Sequence, residues 1–179
     1  MELIEGIKTR RSIREFKKEM VSDDLIMKAV DAAKFYPSWK NTETARFILI
    51  KDTDLKNKIA YAVLNFEHNT NIILNAPELI VVTTTDNRSG YERDGSPTTS
   101  KGSHFQSFDA GAATYALQLS LHNYGIGSVV LGIYDEAKIK EILSLGEGIS
   151  VSCLLPIGYK AQEVVAPKRH TNEEFLTIK

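Results

Sequence analysis

The sequence predicts a chain that mixes α-helices and β-strands around one hydrophobic core. Residues 78–85 (ELIVVTTT) form a β-branched, nearly continuous apolar run, which is typical of a central strand covered on both faces. Residues 105–123 have a helical pattern that is apolar on nearly all sides, typical of a helix buried at a core or in a subunit interface. The 179 residues are enough for one domain and too few for two ordinary ones.

Capping residues and apolar spacing predict the other helices. Ser22 precedes two acidic residues, a combination that favours a helix N-terminus, and this helix should end near Phe35 because Pro37 disfavours helix before it. Further helices are predicted over residues 2–8, from Asp52 with Leu55, Ile59, Val63 and Phe66 on one face, around residues 72–74, and from Asp135 through Leu143.

Three more apolar runs predict strands. These are residues 45–50, residues 129–134, and residues 149–159 with a break at Pro156. Residues 86–104 contain no aliphatic side chain and are predicted to lack regular structure. A stretch of that length is either a mobile insertion near a site or a disordered loop, and composition does not decide between them.

Composition excludes several classes of protein. A formal net charge of -1 argues against a general nucleic-acid binder, and the longest aliphatic runs are too short to span a bilayer. The first residues (MELIE) are acidic and show no signal-peptide pattern. The single cysteine, Cys153, fits a reducing cytoplasm, and its apolar surroundings predict a buried structural thiol.

Familiar catalytic and metal-binding motifs are missing from the sequence. The four histidines are scattered without metal-ligand spacing, and there is neither an HExxH motif nor a pair of cysteines, so no metal site is predicted. The sequence has no GxSxG and no P-loop. The pair Gly125 and Gly127 does not complete a GxGxxG, because residue 130 is valine.

A cluster of basic residues near the N-terminus is the strongest chemical signal. Arg10, Arg11 and Arg14 surround the hydroxyl of Ser12 within five residues. Guanidinium groups keep their charge and present a planar fork of donors, which suits a phosphate or an electron-rich ring that must hold negative charge. Taken alone, the cluster fits a solvated basic surface as well as an anion site.

Five motifs in order resemble the nitroreductase family of flavin enzymes. Residues 10–16 (RRSIREF) resemble its RRSxRxF signature, and residues 36–47 (YPSWKNTETARF) its APSxxNxQPWRF loop. Residues 76–82 (APELIVV) are similar to its AP-x-x-I-V-V strand. Residues 109–132 resemble its long central helix and glycine turn, and residues 167–174 its C-terminal basic motif. The matches cover essentially the whole chain.

This resemblance implies an architecture and an activity. It implies a single domain over residues 1–179 of α+β class, with a mostly antiparallel or mixed central sheet flanked by helices. It implies an intertwined homodimer with FMN at the interface and a C-terminal tail that reaches the partner subunit. NADH or NADPH would donate hydride, and a nitroaromatic, quinone or similar small acceptor would receive the electrons in a ping-pong cycle. Residues 86–104 would then be a mobile loop or lid.

The resemblance also implies roles for the basic residues. Arg10, Ser12 and Arg169 would hold the FMN phosphate and ribityl tail, with Arg11 and Lys168 close by. Arg14 would face the pyrimidine edge of the flavin, where a fixed cation stabilises the reduced ring and raises its reduction potential. Since the flavin performs the hydride chemistry, no catalytic side chain is expected.

Other residues would surround the ring. The resemblance implies that residues of the 37–41 loop come from the partner subunit, that main chain near residues 130–132 touches the other side, and that a mid-chain asparagine reaches the ring edge. These residues are Pro37, Ser38, Trp39, Lys40, Asn41, Asn69, Val130, Leu131 and Gly132.

The chain departs from the family pattern in its second motif. Where the family commonly has Gln-Pro-Trp, this sequence has Glu43, Thr44 and Ala45, and Trp39 and Lys40 stand where small residues are frequent. Trp39 would either stack on the flavin or pack in the dimer interface. Related flavin chemistry (reductive dehalogenation or flavin breakdown), flavin storage without turnover, and a flavin-free anion-binding module remain alternatives.

Overall fold

The computed structural model describes residues 1–64 and 66–179. Within these residues four strands form one sheet, and seven α-helices and a short 3-10 helix at Trp39–Asn41 surround it. The strands are β1 (Ala45–Ile50), β2 (Glu78–Thr85), β3 (Ile126–Ser128) and β4 (Ile149–Tyr159). The helices are α1 (Leu3–Thr9), α2 (Asp23–Ala33), α3 (Thr53–Ala60), α4 (Glu67–Asn75), α5 (His104–Asn123), α6 (Glu136–Ile142) and α7 (Asn172–Phe175).

The sheet is antiparallel, in the order β1-β2-β4-β3. β2 lies at its centre and is buried over seven of its eight residues, which confirms the predicted central strand. Ala45 pairs with Thr84 on one side of β2, and Glu78 pairs with Ile157 on the other. The register between β2 and β4 shifts between Val82 and Thr83.

Helices cover both faces of this sheet. Successive residues of β2 point to opposite faces, so Leu79 joins one buried cluster with α3, α4 and α6, and Ile80 joins another with α2 and α5. The predicted α+β class, with a mostly antiparallel sheet flanked by helices, is therefore confirmed. None of the helices in the described ranges is long and apolar enough to cross a membrane.

The predicted helix starts are confirmed by side-chain caps. Ser22 Oγ accepts the N–H of Leu25 at 3.4 Å, and Asp52 Oδ1 accepts that of Leu55 at 2.7 Å. Asp135 likewise caps α6. One helix end was predicted wrongly: α3 stops at Ala60, and the expected continuation through Val63 to Phe66 does not form. Val63 is buried beyond the helix, so its apolar spacing reflects core packing.

Two strand predictions were also wrong. The expected strand over residues 129–134 is replaced by β3 at Ile126–Ser128, followed by a single bridge between Leu131 and Leu154. The break expected at Pro156 does not occur, and β4 continues through it. Proline lacks only the donor, and the Pro156 carbonyl still accepts the N–H of Val129 at 3.4 Å, beyond the end of β3.

Residues 86–103 contain no helix or strand, which confirms the predicted lack of regular structure. The segment forms a series of turns, with a bridge between Tyr91 and Pro97, and α5 begins at His104. Within the segment, Ser89 and Gly90 are buried. Hydrogen bonds from polar side chains replace the aliphatic contacts that the sequence lacks. That this segment opens and closes as a lid stays a prediction.

Candidate functional site

The segment after α1 is held against the sheet by two buried apolar residues. Ile13 and Phe16 are buried, and the N–H of Ile13 donates to the Ser128 carbonyl at 3.0 Å. Gly127 permits this approach, since a Cβ there would lie 2.6 Å from Ile13 Cγ1. The packing fixes the backbone of residues 10–14 beside β3 and leaves the arginine side chains outside the core.

Arg10 and Arg11 border a cavity of about 320 Å³, here called the arginine cavity. Arg10 Nε is buried and has no hydrogen-bond partner among the described residues. Arg11 is held in place, because its Nη1 donates to the carbonyls of Lys8 (2.7 Å) and Arg10 (2.9 Å). The cavity is lined by Thr9, Arg10, Arg11, Ile13, Gln118, His122, residues 125–128, Lys160, Glu163 and Val164.

These donors fit an anion such as a phosphate. An unsatisfied buried N–H costs free energy that an anionic oxygen would recover. The one carboxylate in the lining belongs to Glu163, and it pairs with Lys160 at 2.6 Å. Positive charge therefore dominates the arginine cavity, and its side chains match the donor set that a phosphate requires.

Arg14 and residues 130–132, which were predicted to contact the flavin ring, lie on two neighbouring segments of the chain. Arg14 is exposed, and its Nη1 donates to the Ser12 carbonyl at 3.4 Å. Ser12 is bridged to Ser128, so the segment that carries Arg14 runs beside the chain leading to residues 130–132. Val130 and Gly132 are exposed while Leu131 is buried. Asn69 is buried on α4, and the structure gives it no hydrogen bond to these groups.

The loop over residues 37–44 adopts an unusual backbone. Lys40, Asn41 and Glu43 have φ angles of 44°, 54° and 48°, in the left-handed region that costs a non-glycine residue about 1–2 kcal/mol. Local hydrogen bonds hold this shape: Ser38 Oγ accepts the N–H of Glu43 at 3.0 Å, and Asn41 Nδ2 donates to Glu43 Oε1 at 2.9 Å. Backbone strain of this kind clusters at functional sites.

Trp39 is fixed by contacts within its own chain. Its ring packs edge-on against Phe105 with the centroids 4.6 Å apart. Its backbone N–H donates to Asp109 Oδ2 at 2.9 Å, and the hydroxyl of Ser89 donates to the same oxygen at 2.5 Å. Trp39 Nε1 is buried without a hydrogen-bond partner in the described part of the chain. Whether Trp39 also meets a flavin or a partner subunit stays a prediction.

A second, more open cavity of about 830 Å³ separates this loop from the segment that follows β2. Residues 40–42, 87–88 and 91–95 line it, and it is here called the loop cavity. Lys40 Nζ bridges its two sides by pairing with Glu92 at 2.6 Å. The loop cavity and the arginine cavity share no lining residue, so one chain does not bring the 37–41 loop to Arg10.

The tail residues also lie apart from the arginine cavity. Lys168 and Arg169 are exposed and line neither cavity. Arg10, Arg11 and Ser12 are therefore brought together with the backbone leading to Val130, while the 37–41 loop and the basic pair of the tail are not.

Comparison with known proteins identifies the family. The family model described as "Nitroreductase family" matches residues 7–69 and 67–159. The chain belongs to the nitroreductase family. A relative from Archaeoglobus fulgidus, provisionally named an NADH dehydrogenase/NAD(P)H nitroreductase, is 31% identical over 166 residues, covering 90% of this chain and 87% of the relative.

Two solved structures extend this likeness to the fold. A nitroreductase family protein from Clostridium novyi NT is 29% identical with a TM-score of 0.80, covering 89% of this chain and 86% of that chain. A BluB-like flavoprotein from Clostridium difficile 630 is 28% identical with a TM-score of 0.83, covering 100% and 99%. The nitroreductase fold thus extends over nearly the whole length of this chain.

Three residues of this nitroreductase family member were not recognised from the sequence as candidates for a site. Asp109 anchors the 37–44 loop, and its signal is a lone acid on an otherwise apolar helix. His122 and Lys160 line the arginine cavity. In the sequence His122 is one of four scattered histidines, and Lys160 lies far from the arginines, so no local pattern marks either residue.

The remaining sequence predictions concern the cysteine and metals. Cys153 lies on β4 and is buried against α5, and burial raises the pKa of its thiol to about 11, which confirms the predicted buried thiol. It borders a further cavity of about 490 Å³ that also reaches Val130. In residues 1–64 and 66–179 no three histidine, cysteine, aspartate or glutamate side chains are grouped as metal ligands.

Proposed function

We propose that this nitroreductase family member is an FMN-dependent oxidoreductase that takes hydride from NADH or NADPH. A nitroaromatic, quinone or similar small acceptor then receives the electrons in a ping-pong cycle. The observation that carries the proposal is the buried, unpartnered Nε of Arg10 in a cation-lined cavity beside the backbone leading to Val130 and Gly132. The names of the Archaeoglobus fulgidus relative and the BluB-like flavoprotein support it.

At the phosphate end, Arg10 and Ser12 would supply donors from the segment after α1. Arg11, fixed through its own hydrogen bonds, adds charge to the same cavity. Lys168 and Arg169 would close the site from the tail, which leaves the sheet at Tyr159 next to this cavity. A dianionic phosphate between these cations would be held by charge-assisted hydrogen bonds.

At the ring end, this chain would supply one fixed charge and a backbone surface. Bound FMN would provide the hydride-accepting and hydride-donating chemistry. The guanidinium of Arg14 would stabilise negative charge on the pyrimidine side of the ring. Exposed main chain at Val130 and Gly132 and the amide of Asn69 would contact the ring and its edge.

Two copies of the chain would complete each site. Pro37, Ser38, Trp39, Lys40 and Asn41 lie away from the arginine cavity of their own chain and would reach the ring bound by the partner subunit.

Exposed apolar side chains on α1, on α5 and along the tail support this homodimer, because large exposed apolar surfaces mark interfaces. Phe108 is 68% exposed and Val165 90% exposed. The tail would reach the partner subunit, and cofactor binding and dimerisation would be coupled.

The proposal extends to the organisation of the chain. Residues 1–179 would form one nitroreductase-like domain, and residues 86–104 would act as a lid over the acceptor side of the flavin. The Lys40–Glu92 pair joins this segment to the 37–44 loop. The protein would work in the cytoplasm, where a single thiol stays reduced.

Purified protein tests the proposal through its colour. The wild type should be yellow or become yellow with added FMN, and NADH or NADPH should bleach it without oxygen. Arg10→Ala should bind FMN about tenfold or more weakly, through loss of a charged hydrogen bond, while the surface variant Lys28→Ala should not. A colourless protein that FMN cannot reconstitute contradicts the proposal. A yellow protein that neither donor bleaches favours flavin storage.

A further inference from the structure

His122 lies on the last turn of α5 and lines the arginine cavity together with Arg10 and Arg11. Its Nε2 is 3.1 Å from the hydroxyl of Thr9, which itself donates to the Glu5 carbonyl at 2.7 Å. When the hydroxyl donates to Glu5, its oxygen can accept from His122 Nε2, which then carries the proton of the neutral ring. In that tautomer Nδ1 is the nitrogen that gains a proton when the ring becomes charged.

Charged groups from two other segments face this histidine. Arg10 and Arg11 come from the segment after α1, and Lys160 and Glu163 follow β4. Burial, followed by the charges of Arg10, Lys160 and Arg11, lowers the pKa of His122. In the absence of an anion the ring is therefore held neutral near pH 7, because a fourth positive charge in the cavity is unfavourable.

We propose that His122 and Lys160 are part of the FMN phosphate site, and that His122 takes up a proton from solvent when the phosphate binds. This inference rests on the proposed function. A phosphate monoester brings up to two negative charges among the cations, which reverses the field at the imidazole and favours the protonated ring. Lys160, which pairs with the exposed Glu163, can exchange that partner for a phosphate oxygen.

The test compares FMN with riboflavin, which has the same ring and no phosphate. Flavin-free wild type, His122→Gln and Lys160→Gln are titrated with each ligand from about pH 6 to about pH 8.5, across the usual range of histidine titration. His68→Gln is the control, because His68 is exposed on α4 and does not line the cavity. The phosphate itself has a second ionisation near pH 6. Its effect on affinity is the same for all variants, so it drops out of the ratio of dissociation constants at each pH.

For His122→Gln, the FMN dissociation constant should exceed that of the wild type about tenfold at the acidic end, and the ratio should approach one at the alkaline end. Lys160→Gln should weaken FMN binding by a similar factor at every pH, because an ammonium group stays charged throughout. Riboflavin affinity should be unchanged in all variants. Calorimetry in two buffers should show more proton uptake for the wild type than for His122→Gln.

A pH-independent ratio for His122→Gln, or equal proton uptake, overturns the inference while the proposed function stands, provided that the wild type binds FMN and is bleached by a donor. An equal loss of riboflavin affinity also overturns it, because the damage would then lie outside the phosphate site. A wild type that binds neither flavin contradicts both proposals. If His122→Gln does not fold, Lys160→Gln still tests the inference. An unchanged FMN affinity in Lys160→Gln then overturns the proposal that His122 and Lys160 belong to the phosphate site.

Discussion

The backbone N–H of Trp39 donates to the buried carboxylate of Asp109 at 2.9 Å, joining a loop and a helix 70 residues apart. The same oxygen accepts the hydroxyl of Ser89, so a single side chain holds both the 37–44 loop and the segment after β2. These are the two segments that face the loop cavity. Asp109 therefore sets the shape of the loop proposed to contact a flavin.

Asp109→Asn should loosen this arrangement. Both donors bond one carboxylate oxygen, and an uncharged amide oxygen in its place accepts weaker hydrogen bonds, so the free energy of unfolding should fall by about 1–3 kcal/mol. Trp39 is the only tryptophan, so its fluorescence should shift to longer wavelength and become easier to quench. Asp31→Asn is the control, because Asp31 is exposed and pairs with Lys34 on the surface. Unchanged stability and fluorescence in Asp109→Asn would show that Asp109 is not the anchor.

Gly127→Ala should separate the segment of residues 10–14 from the sheet. The new Cβ would lie 2.6 Å from Ile13 Cγ1, and relieving that overlap should destabilise the fold by about 1–3 kcal/mol and weaken FMN binding. Adding Ile13→Ala should restore part of the FMN affinity by making room. Gly146→Ala, with nothing near its Cβ, should be neutral or slightly stabilising. Equal effects at both glycines, measured by urea unfolding, would refute this packing argument.

Local sequence signals predicted the elements that are determined locally. Ser22, Asp52 and Asp135 each cap the helix that was expected to start there, because a cap depends on residues three positions away. The continuous apolar run of β2 likewise predicted its central position.

The errors arise where distant contacts decide the structure. Val63 is buried in the core but lies outside α3. Its helical spacing from Ile59 therefore predicted a longer helix than the one that forms. Pro156 is tolerated in β4, where its carbonyl accepts the N–H of Val129. This contact joins distant residues, so no local rule predicts it. In the site, the arginine cluster was visible in sequence because its members are adjacent. His122 and Lys160 join it only through the fold.

Glu78 should give the protein a specific pH dependence of stability. Its carboxyl is fully buried, Oε2 accepts the N–H of Val21 at 3.0 Å, and Lys51 Nζ lies 3.8 Å from Oε1. Burial raises the pKa of Glu78 in the folded state, against the opposing effects of Val21 and Lys51. Between the unfolded and folded pKa values the folded protein binds more protons, so its stability falls as pH rises through that window.

Glu78→Gln removes this titration. The stability of the wild type relative to Glu78→Gln should therefore fall with rising pH, by at most about 1.4 kcal/mol per pH unit, and then level off above the folded pKa. Urea unfolding of both proteins across the acidic to neutral range measures the difference. The exposed control Glu147→Gln should follow the wild type. A wild type that gains stability over Glu78→Gln as pH rises would give the opposite sign and refute the assignment.

Arg14 and Arg169 should have separable effects on the cofactor. Arg14→Ala should lower the reduction potential of bound FMN by roughly 30–65 mV, the two-electron equivalent of one lost charged hydrogen bond. Arg169→Ala should mainly weaken FMN affinity, because its proposed partner is the phosphate. Spectroelectrochemistry and FMN titration measure the two quantities. If both variants kept the wild-type potential and affinity, the assignment of these two roles would fail.

The central claim is that this chain carries FMN and passes electrons through it, and a pair of anaerobic half-reactions tests it most directly. Protein loaded with FMN is mixed with NADH or NADPH and then with a nitroaromatic or a quinone, while the visible flavin absorbance is followed. The account predicts that the donor bleaches the bound flavin and that an acceptor restores the colour. A protein that retains no FMN, or whose bound flavin neither donor bleaches, would contradict it.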